Sequence, residues 1–136
     1  LTRDLRRAYD QAAATSPRFT RVLPVGAAWL RAMDAGIADP NPYDGVAAGQ
    51  LSLWTHDHYH ASTAGYYLQA LVIFGDVTGL DPVSLGPDEQ CAFDLGLSKT
   101  QASALQQVAH EELAAARPPA PLRPFATRAR PRGPVR

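Results

Sequence analysis

The feature that most restricts this chain is the run of residues 62–79. Tyr66, Tyr67, Leu68, Leu71, Val72 and Phe74 place apolar groups nearly all round a helix. A helix without a polar side has to be buried. Ser62 or Thr63 can cap its start, and Gly79 suits its C-terminal cap. The spacing predicts a helix over residues 63–77, enclosed by other elements. A chain of 136 residues, 46% of them hydrophobic, is long enough and apolar enough to build one domain around it.

The remaining elements are shorter. Leu1, Leu5, Ala8, Tyr9 and Ala12 recur at helical spacing along one face. Pro17 ends that pattern, because proline disfavours helical geometry in the residue before it. Residues 19–25 read as a short buried strand, with Val22, Leu23 and Val25 apolar on both faces. Pro24 confines it to a strand end. Residues 27–37 read as a helix with Trp29 or Leu30, Met33 and Ile37 on one side, and residues 39–45 are loop by composition. Residues 51–54 suit a very short strand or an extended turn. After the central helix, Asp81-Pro82 opens a linker and residues 88–95 form a short helix stopped by Gly96. Ser98 and Gln101 form a capping box for a last helix that runs to about Ala116.

Charge divides the chain in two. Residues 117–136 hold six Arg and six Pro and no acid, whereas residues 1–116 hold seven basic against thirteen acidic groups, a net of −6. The expected organisation is a folded unit over 1–116 and a disordered Arg/Pro-rich tail over 117–136. The tail reads as solvated: it lacks interleaved aromatics beyond Phe125, so nucleic acid is not an expected partner. The single cysteine, Cys91, excludes an internal disulfide. No run of eighteen apolar residues occurs, so no membrane span is expected. There is no visible signal peptide. The chain begins with Leu1, which fits an alternative start, a processing site or a cut in a longer, secreted parent, and the compartment stays unknown.

The segment Asp57-His58-Tyr59-His60 carries the most chemistry. Ester hydrolysis by serine needs a base to take the hydroxyl proton, and histidine has a free pKa near neutrality. The base needs a carboxylate to fix its tautomer and stabilise the imidazolium. An Asp three residues before a His, in a loop just ahead of a helix, supplies both from one segment.

Residues 56–70, His-Asp-His-Tyr-His-Ala-Ser-Thr-Ala-Gly-Tyr-Tyr-Leu-Gln-Ala, resemble the last motif block of the SGNH (GDSL-type) serine hydrolases. Asp57, His60, Ser62, Gly65 and Tyr66 match that block. Pro24-Val25-Gly26 with Trp29 resembles the segment before it, and Leu95-Gly96-Leu97-Ser98 with Leu105, Gln106, Val108 and Ala109 resembles extensions of one bacterial branch. The resemblance implies an α/β fold, the C-terminal portion of a three-layer flavodoxin-like SGNH hydrolase domain, rich in helix. It implies His60 as general base and Asp57 as its orienter. An ester of unspecified type would be the substrate, and no cofactor would be needed. The family's nucleophile sits in an N-terminal Gly-Asp-Ser motif, and no such motif occurs here. Gly75-Asp76-Val77-Thr78 echoes it on the wrong side of the histidine block. The chain is therefore expected to be inactive alone, and to be oligomeric or to need a missing N-terminal half. The competing function is a non-catalytic structural or interaction domain that retains the motif as a relic.

Blander roles stand beside these. His56, His58 and His60 alternate and in a strand would share one face, as zinc ligands could. So close a spacing crowds the ligation, and no metal is expected. His56 and His58 read as exposed loop residues, and Trp29, Tyr66 and Tyr67 as packing groups. Cys91 reads as a small apolar filler, and His110, beside Glu111 and Glu112, as solvated. Asn41 has the chemistry of an oxyanion donor, with nothing in its setting that requires the role.

Overall fold

The computed structural model describes residues 2–116. The tail over 117–136 and the place of Leu1 on the first helix lie outside them. The described chain is helical: α1 spans Thr2–Ala14, α2 Val25–Asp34, α3 Thr63–Thr78, α4 Gln90–Asp94 and α5 Lys99–Ala116, with one 3-10 turn at Pro82–Leu85. Among the described residues there are no strands, only two isolated bridges, Ala38 with Leu51 (parallel) and Trp54 with Ala61 (antiparallel).

The core is the junction of α2, α3 and α5, with α3 against α5 the most extensive contact. α3 contributes Ala64, Tyr67, Leu68, Leu71 and Val72, and α5 contributes Ala102, Leu105, Val108, Ala109 and Leu113. α2 meets them through Ala28 and Ala32, both fully buried. With only a methyl group at those contacts the helix axes approach closely. Gly75 serves the same end on α3. A Cβ there would overlap the Leu113 side chain and stand 3.1 Å from Pro82 Cγ, so the glycine seats the 3-10 turn. Gln106 is buried in this core; its Nε2 donates to Tyr67 Oη (3.1 Å) and to Gly86 O (2.8 Å). Ion pairs tie the elements at the periphery, among them Arg21 to Asp76 (2.6 Å) and Arg31 to Glu112 (3.0 Å).

Local signals account for most boundaries. α3 starts at Ser62, whose hydroxyl accepts from Gly65 N, and stops at Gly79, which takes φ +73°. The capping box forms as its residues predict, with Ser98 N donating to Gln101 Oε1 (2.9 Å) and Gln101 N to Ser98 Oγ (3.2 Å). α2 ends three residues before Ile37. Gly36 N donates to Met33 O and Ile37 N to Ala32 O, both at 2.9 Å, a Schellman closure around Gly36 at φ +69°.

Several expectations are corrected. Residues 19–24 form no strand, and Val25 opens α2 instead. Arg21 ties that segment to α3 through its side chain, which donates to the Asp76 carboxylate and carbonyl. Residues 51–54 are an extended turn pinned at two bridges. The helical content matches expectation, but the strands of a three-layer α/β sheet are not formed among the described residues. α3 is not enclosed: Tyr66, Ala70, Ile73 and Val77 make one exposed apolar stripe. α1 has no buried residue despite its amphipathic pattern. Cys91 is exposed, not a core filler.

Candidate active-site loop

The Asp57–His60 block sits in a closed loop at the entrance to α3. Ser62 N donates to Leu53 O (2.8 Å), Trp54 bridges Ala61, and Thr55 N donates to His60 O (2.9 Å). Both feet of the loop are anchored. Leu53 is fully buried. Ser62 caps α3 and its Oγ donates to Ser52 O (2.6 Å), joining the helix start to the opposite foot. Gly65 lets α3 lie on this base. A Cβ there would overlap Leu53 O and stand 2.8 Å from the Trp29 ring. Trp29 in turn meets Trp54 edge-on at 5.2 Å. Its Nε1–H is buried with no partner among the described residues, a cost of roughly 1–3 kcal/mol that this packing must offset.

Asp57 organises the loop from within. Its Oδ1 accepts from Thr55 Oγ1 (2.5 Å), Tyr59 N (3.0 Å) and His60 N (2.9 Å), and its Oδ2 meets His60 Nδ1 at 2.6 Å. The bond from the His60 ring, then the Thr55 hydroxyl and the backbone N–H groups of His60 and Tyr59, hold the carboxyl well below the usual carboxylate range. An ionised carboxylate can only accept, so Nδ1 carries the donated proton, and whenever the ring is neutral Nε2 has the lone pair. That is the tautomer a general base needs. The His60 side chain is 63% exposed. Among the described residues Nε2 has no hydrogen-bond partner.

The structure thus brings Asp57 and His60 together. It brings no serine to them. The serines nearest in sequence are committed to backbone, Ser52 Oγ donating to Trp54 O (2.8 Å) and Ser62 Oγ to Ser52 O. His56 and His58 are exposed, as their loop setting suggests. His58 stands at φ +57° in the turn, so alternation does not align the three histidines. Among the described residues no group of three metal-binding side chains converges. Tyr67 is buried and packs, whereas Tyr66 is exposed on α3. His110 is partly exposed, and its Nδ1 lies 2.9 Å from Asp81. Asn41 Oδ1 accepts from Tyr43 N (3.2 Å), closing a turn.

Two features escape sequence reasoning. Thr55 is a second fixed partner of Asp57; its position two residues before an Asp is the local signal. A cavity of about 300 Å³ opens beside the loop, between residues 39–46 and 52–58. Only the Asp39-Pro40-Asn41-Pro42 composition hints at its wall, through the turns such residues favour. Among the described residues no helix is long and apolar enough to cross a membrane. No family model matches the chain, and neither a curated protein nor a solved structure matches it.

Proposed function

We propose that this chain supplies the base and carboxylate of a serine-dependent ester hydrolase of the SGNH class, as the C-terminal portion of its flavodoxin-like α/β domain. The observation that carries this reading is the 2.6 Å Asp57–His60 contact at Nδ1, on a side chain that is 63% exposed and whose Nε2 has no hydrogen-bond partner among the described residues. In the complete enzyme Nε2 of His60 takes the proton of a serine hydroxyl as its oxygen attacks the ester carbonyl. The alcohol leaves with that proton, and His60 then activates a water to release the acid. Asp57 holds the ring in register and stabilises the imidazolium at each transfer. The exposed stripe of α3 and the unburied face of α1 support the same reading, because helices of a layered α/β domain need a sheet to cover them.

The chain by itself lacks the nucleophile, whose loss costs on the order of 10⁶ in turnover. Purified chain should neither react with a fluorophosphonate probe nor hydrolyse p-nitrophenyl acetate through a serine. Fused behind a segment carrying Gly-Asp-Ser, it should do both, and His60→Ala should remove the gain. An in-frame Gly-Asp-Ser in the coding DNA upstream of Leu1 would identify the native segment. The engagement of Ser52 and Ser62 with backbone favours a second reading, a non-catalytic domain in which Asp57 only closes the loop. That reading holds if no upstream segment restores turnover and if Asp57→Ala changes stability alone.

A further inference from the structure

The cavity beside the loop is separate from the pair: neither Asp57 nor His60 lines it. It touches the pair through Thr55, which lines the cavity and donates to Asp57. We infer that this cavity binds a sugar ring, the alcohol part of a carbohydrate ester whose acyl group lies toward His60. The inference rests on the reading of Asp57 and His60 as orienter and base.

Size is the first ground. About 300 Å³ is the lower end of ligand pockets. It suits one ring and not an extended acyl chain. The wall chemistry is the second. Tyr43 and Trp54 line it with rings that have flat apolar faces, and the Tyr43 ring lies 4.9 Å from the His58 ring. Such faces pack against the C–H side of a pyranose, while the ring's hydroxyls need partners at its edge. Those partners are present. Asp39 is buried, and its two oxygens accept from Asn41 N (2.8 Å) and Ala47 N (2.7 Å), which holds the carboxyl below its ordinary range. Each oxygen keeps a further lone pair for a hydroxyl donor. The Asn41 amide and the His56 ring add further hydrogen-bonding groups.

Two other ligand chemistries fit less well. An acyl chain would cover Asp39, Asn41 and His56 and leave their remaining hydrogen-bonding capacity unmet, at a desolvation cost. A quaternary ammonium would use the aromatics and Asp39 but leave Asn41 and His56 idle. A polyol ring uses all of them.

Binding needs no nucleophile, so the test is independent of turnover. The full chain is titrated with methyl glucoside, methyl galactoside, methyl xyloside and N-acetylglucosamine, following tryptophan fluorescence and amide shifts of residues 39–58. At least one glycoside should shift these signals saturably at millimolar concentration. Tyr43→Ala, at a side chain 76% exposed, should leave the circular dichroism unchanged and weaken binding at least about tenfold. Asn41→Ala should weaken it as well, and His60→Ala should bind as the parent does. No response to any glycoside at 100 mM overturns the inference. A response to choline or to butyrate in place of glycosides overturns it too. Glycoside binding without turnover in the Gly-Asp-Ser fusion would instead retain the pocket and remove the base assignment.

Discussion

At the residue scale, Asp57 does the work of several groups. One carboxylate satisfies two backbone N–H groups and a hydroxyl and also aligns an imidazole. Because its folded pKa is depressed, its contribution to stability is present above the unfolded value, about 3.9. It is lost only as pH falls through the lower folded value. Between pH 6 and pH 4 the Asp57 carboxyl carbon should therefore show almost no titration by NMR. Asp57→Asn should abolish the short Nδ1–H contact, seen as loss of its low-field proton resonance. A ring found in the Nε2–H tautomer at pH 8 in the parent chain would sink the base assignment. Gly65 is as constrained as Asp57, for a steric reason. Gly65→Ala should cost roughly 1–3 kcal/mol in urea unfolding, since backbone at Leu53 cannot yield as a side chain can.

At the element scale, the start of α3 decides where the loop stands. Two adjacent hydroxyl residues there leave the cap ambiguous in sequence, and the structure chooses Ser62. Its hydroxyl accepts from Gly65 N and donates to Ser52 O, so it couples the helix to the loop's other foot. Ser62→Ala should lower stability by about 1–2 kcal/mol. Thr63→Ala, at an exposed first-turn position, should change it by less than about 0.5 kcal/mol. Paired thermal melts of the two variants separate a cap from a bystander. The same logic explains why α4 ends and α5 begins close to their sequence-predicted limits, at Gly96 and the Ser98–Gln101 box, whereas α2, expected to run to Ile37, stops earlier at the left-handed Gly36.

At the scale of the whole molecule, cover is unevenly distributed. Leu68 and Leu105 are fully buried between α3 and α5, and either one changed to Ala should cost about 2–5 kcal/mol. On the opposite side Tyr66, at 54% exposure, and Val77, at 72%, stay largely uncovered among the described residues. A face of that kind is satisfied by association. Melting followed across a hundredfold range of concentration should show a midpoint that rises with concentration, and Val77→Ser with Ile73→Ser should flatten that rise. A sharp, concentration-independent transition of a monomer would count against a domain that needs another segment to complete it.

The sequence by itself determined what acts over one or two turns. It located the helices and placed Asp57 and His60 at hydrogen-bonding distance, because a tight loop ahead of a capped helix leaves little freedom in three residues. The strand expected at residues 19–25 failed because Val22, Leu23 and Val25 read alike whether they enter a sheet or approach a helix. The tertiary contact of Arg21 with Asp76, 55 residues away, settled that choice. Only the tertiary structure could show that Gly65 must lie on Leu53 and Trp29, that α3 keeps a bare stripe, and that residues 39–46 come round to wall a cavity beside the loop. Each of these depends on a contact between segments distant in the chain. Local propensity, which sums over neighbours, carries no record of such a contact.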